Sequence, residues 1–180
     1  MNWIAFFSQT GSEILNISRR LNVYPNKIIC NGGIGKINKE LIQEKPVIFT
    51  RSTPTVDDYF NLIGKGLYRN DTLITLHGWL RILPKEICEY YNNIFNLHPG
   101  LITEYPELKG KDPQIRAFEG NYKNIGVVLH KVIPEVDEGE IIIEKSMPNN
   151  CNSVDDIYNI LHDMASDAWV DFLKNEQQLV

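Results

Sequence analysis

Cysteine is scarce in this chain, which excludes a fold held together by covalent staples. Cys30, Cys88 and Cys151 are odd in number, widely spaced and form no CxxC pair. A disulfide framework and a zinc ribbon are both poor readings, and reduced thiols in a cytoplasmic protein are the expectation. Histidine is equally sparse. His77, His98, His130 and His162 show no HExxH spacing, so no metal is expected. No apolar run approaches the ~20 residues that cross a bilayer, and the start, Met1-Asn2-Trp3-Ile4, lacks the charged region of a signal peptide. Positive charge is not in excess either: the formal net charge is −5, a poor match to a phosphate backbone. Neither a nucleic-acid nor a membrane partner is expected. The glycine motifs GxGxxG and P-loop are absent, as are internal repeats and low-complexity linkers.

What is present is the make-up of an ordinary globular protein, 43% hydrophobic and 23% charged over 180 residues, enough for one domain with a substantial core spanning 1–180. Residues 2–7 are apolar and end in Ser8-Gln9-Thr10-Gly11-Ser12. Ile14, Leu15, Ile17 and Leu21 then recur at helical spacing. Short apolar runs at 27–30, 47–50, 72–76 and 94–96 read as further strands, with a helix after Pro54. Such strands alternating with helices predict an α/β fold: a Rossmann-like, mostly parallel sheet with helices on both faces. Beyond about residue 100 the pattern changes. Runs at 125–133 and 140–145, separated by a turn around 135–139, predict an antiparallel extension. Ser153 with Asp155 and Asp156 marks the start of a last helix, whose apolar stripe runs through Val154, Ile157, Leu161, Met164, Ala168 and Phe172.

Four clusters could carry chemistry. Asn96-Leu97-His98-Pro99-Gly100 ends a buried strand, where residues two apart share a face. An amide there could hold an oxyanion while an imidazole handles a proton; the plainer reading is a His-Pro turn that ends the strand. Val136-Asp137-Glu138-Gly139-Glu140 is by default a turn, or else it folds Asp137 back beside His98. Gly78-Trp79-Leu80-Arg81-Ile82-Leu83-Pro84, with Leu76 and Ile87, is either core or an apolar slot for a flat heterocycle. Ser8-Gln9-Thr10-Gly11-Ser12-Glu13 is either an anion-favouring helix start or a capping box of Thr10 with Glu13. The glycine-rich 31–36 reads as a loop.

In this order and spacing, Gly78–Leu83, Asn96–Ile102, Tyr105-Pro106, Asp112-Pro113-Gln114, Gly126, His130 and Val136–Gly139 resemble the phosphoribosylglycinamide formyltransferase family and its wider superfamily. The resemblance implies a formyltransferase fold and transfer of a formyl group from 10-formyltetrahydrofolate to a small phosphorylated amine, with glycinamide ribonucleotide of purine synthesis foremost. It implies catalytic roles for Asn96, His98 and Asp137. Folate contacts would fall to Leu76, Leu80, Arg81, Ile82, Leu83, Ile87, Val132 and Val136, and acceptor contacts to Gly11, Ser12, Glu13, Gly78 and Pro99. The partners would be folate and the amine alone, with the chain a monomer or homodimer. Three positions depart from the family pattern: Glu13 replaces an asparagine, Ala165 a glutamate and Val128 a serine. The first two sit on the acceptor side. Another acceptor such as an amino-sugar nucleotide, or a folate-binding module without transfer activity, therefore stays open.

Overall fold

A strand buried on both faces needs cover on both, and the first strand shows this directly. In the computed structural model, which describes residues 2–65 and 71–176, β1 (Asn2–Phe7) is buried from Trp3 to Phe7. Ala5 and Phe7 point to one side and pack with Ile14 and Leu15 of helix α1 (Ser12–Leu21) and Leu41 of α2 (Lys39–Glu44). Phe6 points to the other, where its ring meets Tyr59 of α3 (Val56–Ile63) and Trp79 at centroid distances of 6.0 and 5.2 Å. That alternation is the signature of a sheet covered by helices on both faces.

The remaining strands are β2 (Lys27–Cys30), β3 (Val47–Phe49), β4 (Thr72–His77), β5 (Ile94–His98), β6 (Asn124–Lys131) and β7 (Ile141–Pro148). They form one seven-stranded sheet in the order β3-β2-β1-β4-β5-β6-β7. The pairs from β3 through β5 are parallel, and β6 with β7 is antiparallel. The expected mixed sheet with an antiparallel C-terminal extension is thus the fold observed. The register places Cys30 and His77 beside Phe7, so the carboxyl ends of β2, β1 and β4 finish in one row.

The described residues form two compact units that divide within β5, after Asn96. The first unit includes α4 (Lys85–Tyr90); in the second, α5 (Pro113–Glu119) and the long α6 (Val154–Glu176) are the main helices. Ser153 caps α6 as its sequence suggests: its Oγ accepts the Asp156 N–H at 3.1 Å. The buried face of α6 carries Ile157, Leu161, Ala165, Ala168, Trp169 and Phe172. No helix among the described residues is long and apolar enough to cross a membrane.

Candidate active site

The second unit gathers two histidines and an aspartate into its interior. β5 ends at His98, and the turn after β6 carries Asp137. That turn is tight because Gly139 passes against the backbone of Lys131, where a Cβ would stand 1.7 Å from the carbonyl oxygen. Asp137 itself takes φ +56°, a left-handed conformation that aspartate tolerates better than most side chains. Its Oδ2 lies 3.4 Å from His98 Nδ1, and its Oδ1 3.4 Å from His130 Nε2. The Gly110 N–H donates to Oδ2 at 2.9 Å. All three side chains are buried, at 5%, 8% and 3% exposure for His98, Asp137 and His130.

The other nitrogen of each ring is fixed too. His98 Nε2 lies 2.8 Å from the Leu108 carbonyl oxygen, which can only accept, so Nε2 carries a proton and donates it. His130 Nδ1 donates in the same way to the Lys131 carbonyl at 3.0 Å. Arg116 draws the 108–109 backbone down by donating from Nη2 to the carbonyls of Leu108 and Lys109, at 3.0 and 2.9 Å. Burial pushes the His98 imidazole below its ordinary range, against the opposing pull of the Asp137 carboxylate and the Leu108 carbonyl. For Asp137 burial acts in the opposite direction, but the contacts with His130, His98 and the Gly110 N–H outweigh it and hold the carboxyl below the usual range. The carboxylate thus faces the Nδ1 side of a ring whose Nε2 proton is committed to the Leu108 carbonyl.

The first unit organises the rim formed by the ends of its strands. Ser8 N–H donates to the Gly78 carbonyl at 3.3 Å, and Leu80 N–H to Ser8 Oγ at 2.9 Å, tying the turns after β1 and β4 together. Gly11, at φ +70°, is the N-cap of α1. Of the two readings of this segment, the capping box of Thr10 with Glu13 is not formed. Thr10 Oγ1 accepts from Ser12 N–H at 3.2 Å, while Glu13 Oε2 turns to His77 Nδ1 at 2.7 Å. The left-handed Gly11 starts the helix one residue later than the T-x-x-E spacing requires. The 31–36 segment is not wholly a loop either, since Ile34–Lys36 makes one 3-10 turn.

The apolar run after β4 divides. Leu76, Leu83 and Ile87 are core, whereas Leu80 and Ile82 are 58% and 73% exposed. Arg81 folds back, donating from Nε to the Ser52 carbonyl at 2.6 Å. Gly78 is exposed at φ +63°, and Pro99 is half-buried. In the second unit Val132 is half-buried and Val136 exposed. Asn96 is half-buried and sits two positions before His98 in β5. Ala165 and Val128 are both buried, on α6 and β6.

Three groups around the His98–Asp137 pair carry no role in the sequence reading: His130, the Leu108 carbonyl and the Gly110 N–H. The last two are backbone groups without a residue-type signal. His130 does have one, as a histidine ending an apolar strand seven residues before the aspartate. A register irregularity between Leu129 and His130 interrupts the simple alternation there.

A mixed doubly wound sheet with this histidine–aspartate pair at a strand end defines a class that comparison with known proteins makes specific. Residues 34–173 match the family model described as formyl transferase, a stretch running through both units, and the chain belongs to that family. Its likeness within the family is to phosphoribosylglycinamide formyltransferases. That of Dictyostelium discoideum is 33% identical over 117 residues, 61% of this chain and 55% of its own length, so the match spans about half of that relative. The solved structure of the enzyme from Anaplasma phagocytophilum superposes with a TM-score of 0.79 at 22% identity, covering 96% of this chain and 84% of that one. The one from Streptococcus pneumoniae gives 0.77 at 19% identity, over 97% and 98%. At these identities the two structures speak for the fold.

Proposed function

We propose that this chain, working as one formyltransferase domain, moves a formyl group from 10-formyltetrahydrofolate to the amine of a small acceptor. The observation that carries the reading is the buried Asp137 carboxylate set against the His98 imidazole, in a chain whose family is formyl transferase. The acceptor nitrogen attacks the formyl carbon, a C–N bond forms, and the bond to N10 of the folate breaks. Charge develops on the formyl oxygen. His98 Nε2–H and the side-chain amide of Asn96, at same-parity positions of β5, are proposed to hold it. One such donor is worth about 3–4 kcal/mol. In the present arrangement Nε2 donates to the Leu108 carbonyl, a bond the ring would exchange for one to the formyl oxygen. Asp137 facing Nδ1 favours a second proton on the ring as that charge appears, and by way of a bound water it passes the amine proton toward the departing N10.

Folate contacts are proposed for Leu80 and Ile82, whose exposed apolar side chains suit a flat heterocycle, and for Leu76, Arg81, Leu83 and Ile87. Val132 and Val136 are proposed contacts from the second unit. Gly11, Ser12, Glu13, Gly78 and Pro99 are proposed to face the acceptor. The names of the similar proteins make glycinamide ribonucleotide the first acceptor to assay. A different amine is the second reading, favoured by the carboxylate of Glu13 in the first turn of α1. Titration with 10-formyltetrahydrofolate followed by a transfer assay over a panel of amines tests the proposal. Binding followed by amine-dependent release of tetrahydrofolate is expected. Binding with no transfer to any amine would make the chain a folate-binding module.

A further inference from the structure

In doubly wound sheets ligands seat outside the carboxyl ends of the strands, at the point where strand order reverses. In the first unit that point lies between β1 and β4, whose last register pair is Phe7 with His77. The turn leaving β1 feeds α1, whose first N–H groups would ordinarily favour an anion. Here the chain supplies its own. Glu13 lies in the first turn of α1, and its Oε2 sits 2.7 Å from His77 Nδ1, with side-chain exposures of 18% for the glutamate and 0% for the histidine.

The hydrogen bonds around this pair give it a direction. Trp3 Nε1–H donates to Thr75 Oγ1 at 2.9 Å, and His77 Nε2 lies 2.8 Å from the same oxygen. Thr75 is fully buried, so its hydroxyl proton needs an internal acceptor, and His77 Nε2 stands at hydrogen-bond distance to take it. Nε2 is then unprotonated. The ring then donates from Nδ1 to the Glu13 carboxylate in the first turn of α1. The relay Trp3–Thr75–His77 also locks the direction of the carboxylate, so it does not simply swing away from an incoming ligand.

We propose that Glu13, positioned by His77, is the specificity-determining residue of the acceptor side. It selects an amine that offers a hydroxyl or ammonium group at this turn over one that offers a phosphate. This deepens the formyltransferase reading and rests on it. A phosphate brought to the same turn meets a like charge; a hydroxyl or ammonium group meets an acceptor.

The test uses two acceptors with the same amine, glycinamide ribonucleotide and its dephosphorylated riboside, with 10-formyltetrahydrofolate as donor. The wild-type chain is expected to formylate the riboside with a kcat/KM at least equal to that of the ribonucleotide. In Glu13→Gln, which keeps an oxygen to accept from His77 Nδ1–H, the ribonucleotide-to-riboside ratio is expected to rise at least tenfold. Glu13→Asp keeps the charge and should hold the wild-type ratio, which a merely structural role would not distinguish. A wild-type preference for the ribonucleotide, or the same ratio in the wild type and Glu13→Gln, overturns the proposal. Transfer to neither acceptor counts against the formyltransferase reading instead. Calorimetric titration of both proteins with ribose 5-phosphate then decides the present one: at least tenfold tighter binding by Glu13→Gln supports it, and equal affinities overturn it.

Discussion

Asp137 is one carboxylate shared by two imidazoles and a backbone N–H, and its chemistry is set by that crowding. One ring nitrogen of each histidine stands 3.4 Å from its oxygens, while burial alone would push it toward the neutral acid. His130 makes the largest contribution that holds the carboxyl down. Replacing His130 with Gln should therefore raise the Asp137 pKa. In the proposed mechanism Asp137 acts in its ionised form, so activity in this variant should fail at a higher pH as the solution is acidified. The pH dependence of kcat/KM checks this: the acid limb moves upward in His130→Gln, and the plateau at alkaline pH stays above that of Asp137→Asn. An unmoved limb would mean that His130 only fills space.

At the level of elements, the hairpin of β6 and β7 is what delivers Asp137, and its turn depends on a contact only glycine can make. A methyl on Gly139 would collide with the Lys131 carbonyl, which is backbone and cannot rotate aside. Gly139→Ala should cost about 1–3 kcal/mol or more, read from urea unfolding, and should loosen Asp137 with it. The same scale shows what a sequence discloses. The strands at 72–77 and 94–98 announce themselves as apolar runs between turn residues, and α6 by a long stripe. Helices α2, α4 and α5 go unread because six, six and seven residues hold too little periodicity to stand out. In the site, the positions of His98 and Asp137 in the chain were legible, but what surrounds them was not. Leu108 and Gly110 act through main-chain groups that any residue would supply. Thr10 and Glu13 have the spacing of a capping box, and only the left-handed Gly11 shows that the helix begins elsewhere.

Across the whole molecule, the buried site makes stability depend on pH. The folded His98 titrates below its ordinary value of 6.5. Below that pH the unfolded chain takes up a proton that the folded chain resists. Its contribution to stability is thus complete above pH 6.5 and declines as pH falls toward the folded value. Asp137, held below 3.8, contributes fully above that value and loses its contribution only in stronger acid. The chain should accordingly have a higher urea midpoint at pH 8 than at pH 5.5, and His98→Asn should flatten the difference. Identical midpoints at the two pH values in the wild type would contradict this.

The most direct measurement is the rate of formyl transfer from 10-formyltetrahydrofolate by the purified chain, set beside His98→Asn and Asp137→Asn. The account predicts amine-dependent turnover in the wild type and a loss of roughly 100-fold or more in each variant, with near-ultraviolet dichroism unchanged. Wild-type turnover in Asp137→Asn would contradict it.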